Sequence, residues 1–203
     1  MKAKFITFEG IEGCGKSTQA KKLQEYFLAQ NIPTILTREP GGTIAGEKIR
    51  QILIDEKINK LEATTELLLN FAARLEHLEK LIKPALQQNK IVICDRFFDS
   101  TYAYQGSALN VEEKSINEIK KITIGNFVPD ITFLIDVPVE TAFKRIHNRA
   151  ENNRYEKLGL DFHQKVRAGF LKLAQKNSRI KVIDGTKELL EVFAQIKLIL
   201  TSI

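Results

Sequence analysis

Cysteine and long apolar runs are what this chain has least of. Two cysteines in 203 residues are too few for a disulfide framework, and they lack the spacing of metal ligands. Cys94 reads as a small core residue. Cys14 lies in a glycine-rich loop ahead of a helical pattern, and reads either as a bystander or as a thiol acidified by the helix end. No apolar run approaches the ~20 residues that span a bilayer, and the N-terminal residues enter a strand pattern without the charged, apolar and small-residue order of a leader. The expectation is a cytoplasmic protein with no membrane partner. Lysine and arginine outnumber aspartate and glutamate by 31 to 25, but no block of five or six like charges forms. Scattered along amphipathic segments, the excess gives no nucleic-acid-binding face and is explained as well by a small polyanionic ligand. Internal repeats, low-complexity tracts and linkers rich in Pro, Gly or Ser are also missing.

What is present is ordinary globular chemistry, with 43% hydrophobic and 28% charged residues. A length within the reach of one core, ~100–200 residues per domain, predicts a single domain over 1–203. Short β-rich runs occur at Lys4–Phe8, Thr34–Thr37, Ile91–Cys94, Ile131–Val137 and Ile180–Ile183, and several of them are nearly continuous in apolar character, as in strands covered on both faces. Helical patterns separate or follow them at Lys16–Gln30, Ile44–Ile54, Glu62–Gln88, Val111–Ile124, Val139–Arg149, Asp161–Asn177 and Lys187–Leu200. Alternation of this kind predicts an α/β three-layer sandwich, a five-stranded parallel sheet flanked by helices, with ligands at the carboxyl ends of the strands.

The strongest motif follows the first strand. Gly10-Ile11-Glu12-Gly13-Cys14-Gly15-Lys16-Ser17 satisfies G-x-x-x-x-G-K-[ST], and Thr18 continues into the helix. Glycines there let successive backbone N–H groups turn toward the β- and γ-phosphates of a nucleoside triphosphate. The helix end adds partial positive charge, Lys16 bridges the phosphates, and Ser17 can ligate Mg²⁺. ATP and Mg²⁺ are the cofactors this implies. A P-loop alone names no reaction. The guanine-reading Asn-Lys-x-Asp pattern fails at Asn59-Lys60-Leu61-Glu62 and Asn89-Lys90-Ile91-Val92, and no Leu-Ser-Gly-Gly-Gln transporter signature occurs.

Two further segments stand where a doubly wound sheet collects its ligands: Arg38-Glu39-Pro40-Gly41-Gly42-Thr43 after the second strand, and Asp95 to Gly106 after the third. With Phe8-Glu9-Gly10-Ile11-Glu12-Gly13 they resemble the bacterial thymidylate kinases, over nearly the whole chain. The resemblance implies phosphoryl transfer from MgATP to dTMP and a homodimer, plausible interfaces being the helices between the second and fourth strands. It also implies roles residue by residue. Asp95 matches an acid that positions Mg²⁺ and the reacting phosphates, and Arg96 an arginine that grips the acceptor phosphate. Glu39 and Arg50 match the acceptor-side acid and phosphate-side arginine, although Arg50 equally fits the solvated side of its helix. Thr101, Tyr104 and Gln105, in a turn after Arg96, match positions that touch sugar and base.

Arg74 falls beside an apolar stripe of Leu67, Phe71, Leu75, Leu78 and Ile82, and so requires an anionic or carbonyl partner. In the family an aromatic that stacks on thymine precedes this arginine by four residues. Here that place is Asn70, and Phe71 comes one residue late, so Phe71 either reaches the base from a shifted angle or is core. Glu12 and Gly13 occupy positions where the eukaryotic type carries an acid and an arginine. The missing loop arginine is expected from a lid at about 149–160, from Arg154 rather than Arg149, which sits nearer the helix end. The competing readings are a kinase for another acceptor, such as a deoxynucleoside or UMP, and a P-loop regulator that binds ATP and signals occupancy to a partner.

Overall fold

Isoleucine, phenylalanine and threonine crowd the five short runs, and in the computed structural model, which describes residues 3–55, 57–58, 61–146, 154–155 and 158–201, each run forms a strand. These are β1 (Phe5–Glu9), β2 (Thr34–Arg38), β3 (Ile91–Asp95), β4 (Ile131–Asp136) and β5 (Ile180–Asp184). All pairings are parallel, in the order β2-β3-β1-β4-β5. Backbone pairing outruns the apolar pattern at four strands, which end one residue later than expected on Glu9, Arg38, Asp95 and Asp184; β4 ends one earlier, on Asp136. Every strand therefore delivers a charged side chain to the same end of the sheet. The register sets Phe8 beside Asp95 and Asp95 beside Arg38, so the ends of three strands form one ledge.

Alternate side chains feed two cores. Ile6, Phe8, Ile91, Ile93 and Phe133 pack under α1 (Lys16–Leu28), α8 (Leu160–Lys176) and α9 (Leu189–Thr201). Phe5, Val92 and Cys94 face the opposite layer, with Leu67, Phe71, Leu78 and Ile82. That second layer is built from α3 (Ala63–His77), which continues through a π-helical segment, Leu78–Ile82, into α4 (Lys83–Gln87). The expected single helix over Glu62–Gln88 is thus one rod with a wider turn inside it. Leu75, placed by periodicity in the apolar stripe, is exposed instead.

α2 (Ile44–Ile54) has the expected bounds, and Thr43 Oγ1 caps it by accepting from Gly46 N at 3.0 Å. The layers are completed by α6 (Glu113–Thr123) and by α7 (Val139–Ile146), whose expected extension to Arg149 lies outside the described residues. The turn expected around Thr101, Tyr104 and Gln105 is helical: α5 (Phe98–Thr101) runs into a π-helical segment, Tyr102–Ala108. Short polar residues and Gly106 hide this helix from propensity reasoning. Packing holds it, since α8 approaches so closely that a Cβ on Gly169 would lie 2.5 Å from Ser107 Oγ. Among the described residues no helix is long and apolar enough to cross a membrane.

Candidate active site

The loop between β1 and α1 has positive φ at Gly10, Gly13 and Gly15, of 141°, 76° and 97°. A Cβ at Gly13 would collide with the Ala142 carbonyl, so that position needs glycine for space as well as for conformation. Lys16, the first residue of α1, is largely buried and donates from Nζ to the Ile11 carbonyl at 3.2 Å, which curls its charge over the loop. The Ser17 hydroxyl donates to Asp95 Oδ2 at the tip of β3. Asp95 Oδ1 is buried and has no hydrogen-bond partner among the described residues. Such an oxygen calls for a donor or a cation. Cys14 is buried, and burial pushes its thiol up against the pull of Lys16, which supports the bystander reading over the acidified one.

Next to Asp95, Arg96 has φ of 72°, a left-handed conformation uncommon for a side chain of this size. Its Nη1 donates to Gly10 O at 3.0 Å and Ser100 Oγ at 3.1 Å, and its Nη2 to Glu12 Oε1 and Tyr104 Oη, each at 3.0 Å. Tyr104 in turn donates to Glu12 Oε2 at 2.6 Å. Glu12, a P-loop position, therefore turns its carboxylate toward the residue that follows β3 and toward the π-helical segment Tyr102–Ala108. Burial alone would raise the Glu12 carboxyl, but the Arg96 guanidinium, with His163, Lys16 and Tyr104, holds it well below the usual carboxylate range.

A second acid at this junction was missed from sequence. Glu9 ends β1 fully buried, accepting from Phe97 N at 2.7 Å and from the Ser100 hydroxyl at 2.6 Å. Burial and neighbouring Asp99 push its carboxyl up to about 8, against the opposing pull of Arg96. The signal available was an acid closing an apolar strand, inside the Phe8-Glu9-Gly10 motif.

The partners that Arg74 requires are both within the protein. Nε donates to Glu39 Oε2 at 2.7 Å, Nη1 to Thr101 Oγ1 at 3.0 Å and Nη2 to the Phe97 carbonyl at 3.2 Å. His77 Nδ1 lies 3.0 Å from the other oxygen of Glu39, and its Nε2 lies 2.7 Å from Thr37 Oγ1. Arg50 donates from Nη1 to the Pro40 carbonyl at 3.1 Å. Burial, then the repulsion of Arg38, lowers its guanidinium from the ordinary value.

These groups share a cavity of about 270 Å³. Of the residues expected at the site, Glu12, Gly13, Lys16, Ser17, Glu39, Arg50, Arg74, Asp95, Arg96, Thr101, Tyr104 and Gln105 line it. Gly10, Ile11, Cys14 and Gly15 belong to the loop itself and Thr18 to the first turn of α1, and none of the five lines the cavity. Arg38, Asn70, Ser100 and Tyr155 line it without having been expected.

Two expected residues are elsewhere. Phe71 is fully buried in the core with its ring 4.8 Å from the Arg74 guanidinium, so the core reading is the one the packing supports; Asn70 is the residue at the wall. Arg154 is absent from the lining and is held by Glu66, Nη2 to Oε1 at 2.6 Å, and by the Leu53 carbonyl at 3.2 Å. Glu66 lies 88 positions away in sequence, a separation no local pattern reveals. Arg149 and most of the lid segment lie outside the described residues.

Comparison with known proteins adds an independent line. The sequence model described as thymidylate kinase matches residues 8–196. The chain is 48% identical to the thymidylate kinase of Mycoplasma capricolum subsp. capricolum, over 97% of its own length and 94% of that protein. It is 45% identical to the thymidylate kinase of a Thermoanaerobacter species, over 97% and 96%. The crystal structure of thymidylate kinase from Ehrlichia chaffeensis superposes with a TM-score of 0.80 at 40% identity, covering 99% of each chain.

Proposed function

The chain belongs to the thymidylate kinase family, and from that premise we propose that it transfers the γ-phosphoryl group of ATP to dTMP, giving ADP and dTDP. The observation that carries this reading is the shared wall of one cavity. Lys16 and Ser17 of the phosphate-binding loop open onto the same space as Arg50, Arg74, Thr101 and Gln105. A lone ATP sensor has no use for that second set.

An ionised acceptor phosphate is already nucleophilic, so no side chain has to remove a proton; catalysis is positioning and charge neutralisation. Backbone N–H groups of Gly10–Gly15 and the start of α1 receive the donor phosphates, and Lys16 supplies the mobile cation among them. Arg96 has all four terminal N–H groups committed to Gly10, Ser100, Glu12 and Tyr104. Its Nε–H is the donor left for an acceptor phosphate, and Arg50 meets the same charge from α2. The Ser17 hydroxyl and the Asp95 carboxylate, with its unpartnered Oδ1, form an oxygen donor set of the kind that suits Mg²⁺. Ser17 and Asp95 would hold the ion there, and it would supply positive charge to the phosphates.

In this reading the chain is a single kinase domain that works in the cytoplasm. The exposed Ile44 and Ile52 on α2, and Leu68 and Leu75 on α3, support a homodimer through those helices, which light scattering tests. The function itself is tested by coupled ADP release with and without dTMP: an ATP-binding regulator releases none, and a kinase for another acceptor responds to UMP or a deoxynucleoside instead.

A further inference from the structure

We propose that Glu66, which does not line the cavity, selects the acceptor's base by fixing the amide of Gln105, so that the site takes 4-oxopyrimidine nucleotides and rejects 4-aminopyrimidine ones. The inference rests on the transfer reaction proposed above.

Glu66 is buried on α3. Its Oε1 pairs with Arg154 at 2.6 Å, while Oε2 accepts from the Tyr155 hydroxyl at 3.0 Å and from Gln105 Nε2 at 3.1 Å. An ion-paired carboxylate only accepts, so the Gln105 amide can meet it only through its NH₂ group; the flipped amide would set oxygen against oxygen. The amide of Gln105 is thereby oriented, and its Oε1 is left over. That oxygen accepts from no described residue, and Gln105 is part of the cavity wall.

Arg74 stands in the same wall, and its bonds to Glu39, Thr101 and Phe97 leave one N–H on each terminal nitrogen. The wall thus offers a donor from Arg74 and an acceptor from Gln105. Thymine and uracil present the complement on one edge, an O4 acceptor beside an N3–H donor. Cytosine presents the reverse, a 4-amino donor beside an N3 acceptor, and meets donor with donor and acceptor with acceptor. A site built on hydrogen bonds discriminates strongly because the wrong ligand leaves its buried groups unpaired. Glu66 touches no substrate in this scheme and is a positioning residue.

The test is kcat/KM for dTMP and for dCMP on the wild type, Glu66→Gln, Gln105→Leu, the double variant and Arg154→Ala. Wild type should favour dTMP by about a hundredfold or more. Glu66→Gln can present either end of its own amide, so Gln105 is free to turn; the dTMP/dCMP ratio should fall about tenfold or more while KM for ATP holds. Gln105→Leu should also lower the ratio, and adding Glu66→Gln to it should lower it no further, because the two act as one unit. Arg154→Ala removes the ion pair that keeps Glu66 an acceptor only, so it should lower the ratio in the same direction as Glu66→Gln, and a wild-type ratio there would count against the inference. An unchanged ratio in Glu66→Gln, or an equal drop with and without Gln105, overturns the inference. If Glu66→Gln fails to fold, Gln105→Leu still decides, since a wild-type ratio there overturns it equally. Absence of any dTMP-dependent ADP release in the wild type would instead bring down the transfer reaction.

Discussion

Arg74 and Glu39 meet at 2.7 Å with each side chain 2% exposed, a fully buried ion pair in the wall of a ligand cavity. Breaking such a pair from one side leaves a charge without water or partner, at a cost of about 3–5 kcal/mol. Glu39→Gln keeps the shape and removes the charge, so it should lower unfolding free energy by about that amount in chemical denaturation. A loss under about 1 kcal/mol would mean that the Thr101 and Phe97 contacts alone satisfy Arg74.

Tyr104 should set the preference for deoxyribose. Its ring is boxed by Tyr155, Phe162 and Phe170 at centroid distances of 5.8, 6.1 and 6.2 Å, and its hydroxyl is tied to Glu12. A ribose 2′-hydroxyl pressed against that ring loses water without gaining a partner, at about 1–3 kcal/mol, or roughly 5- to 150-fold in kcat/KM between dUMP and UMP. Tyr104→Ala should narrow that gap, whereas Tyr104→Phe keeps the ring and should keep it. A ratio that survives loss of the ring would assign sugar selection to other residues.

Glu9 should give the fold an unusual pH dependence. Its carboxyl is raised from 4.5 to about 8, so between those values the native protein holds a proton that the unfolded chain has released. Unfolding free energy then falls as pH rises, and the stability linked to Glu9 is full below pH about 4.5 and lost through pH about 8. Glu9→Gln mimics the protonated acid and does not titrate. Melting temperatures across this window should show the wild type losing ground to the variant as pH rises, and parallel curves would show that Glu9 is ionised in the native state.

Arg154, seated on Glu66, should act on acceptor binding. Loss of a charged hydrogen bond of about 1.5–3 kcal/mol predicts that Arg154→Ala raises KM for dTMP about tenfold or more, with kcat less affected. A fall in kcat with both KM values unchanged would return Arg154 to the migrating phosphoryl group, where the family resemblance puts it.

What could be read from sequence was what depends on neighbours in sequence. The phosphate-binding loop is a run of backbone conformations that glycine alone permits. Asp95, at the end of an apolar strand, and Arg96, just after it, were legible as site residues through the family resemblance. The stripe on α3 required an anionic or carbonyl partner for Arg74, and the protein itself supplies Glu39 and the Phe97 carbonyl. Less legible were the features set by contacts across the fold. Helix 98–108 is held by α8 against its own propensity, Arg154 is drawn from its turn to an acid on α3, and the Glu9 carboxyl is pushed up by the core and Asp99 that close around it.

The most direct measurement is coupled ADP release with ATP and Mg²⁺, with and without dTMP, on the wild type and on folded Lys16→Ala. The account predicts release that depends on dTMP and falls by several orders of magnitude when the loop lysine is removed, circular dichroism remaining that of the wild type. Release that ignores dTMP, or survives the loss of Lys16, would contradict it.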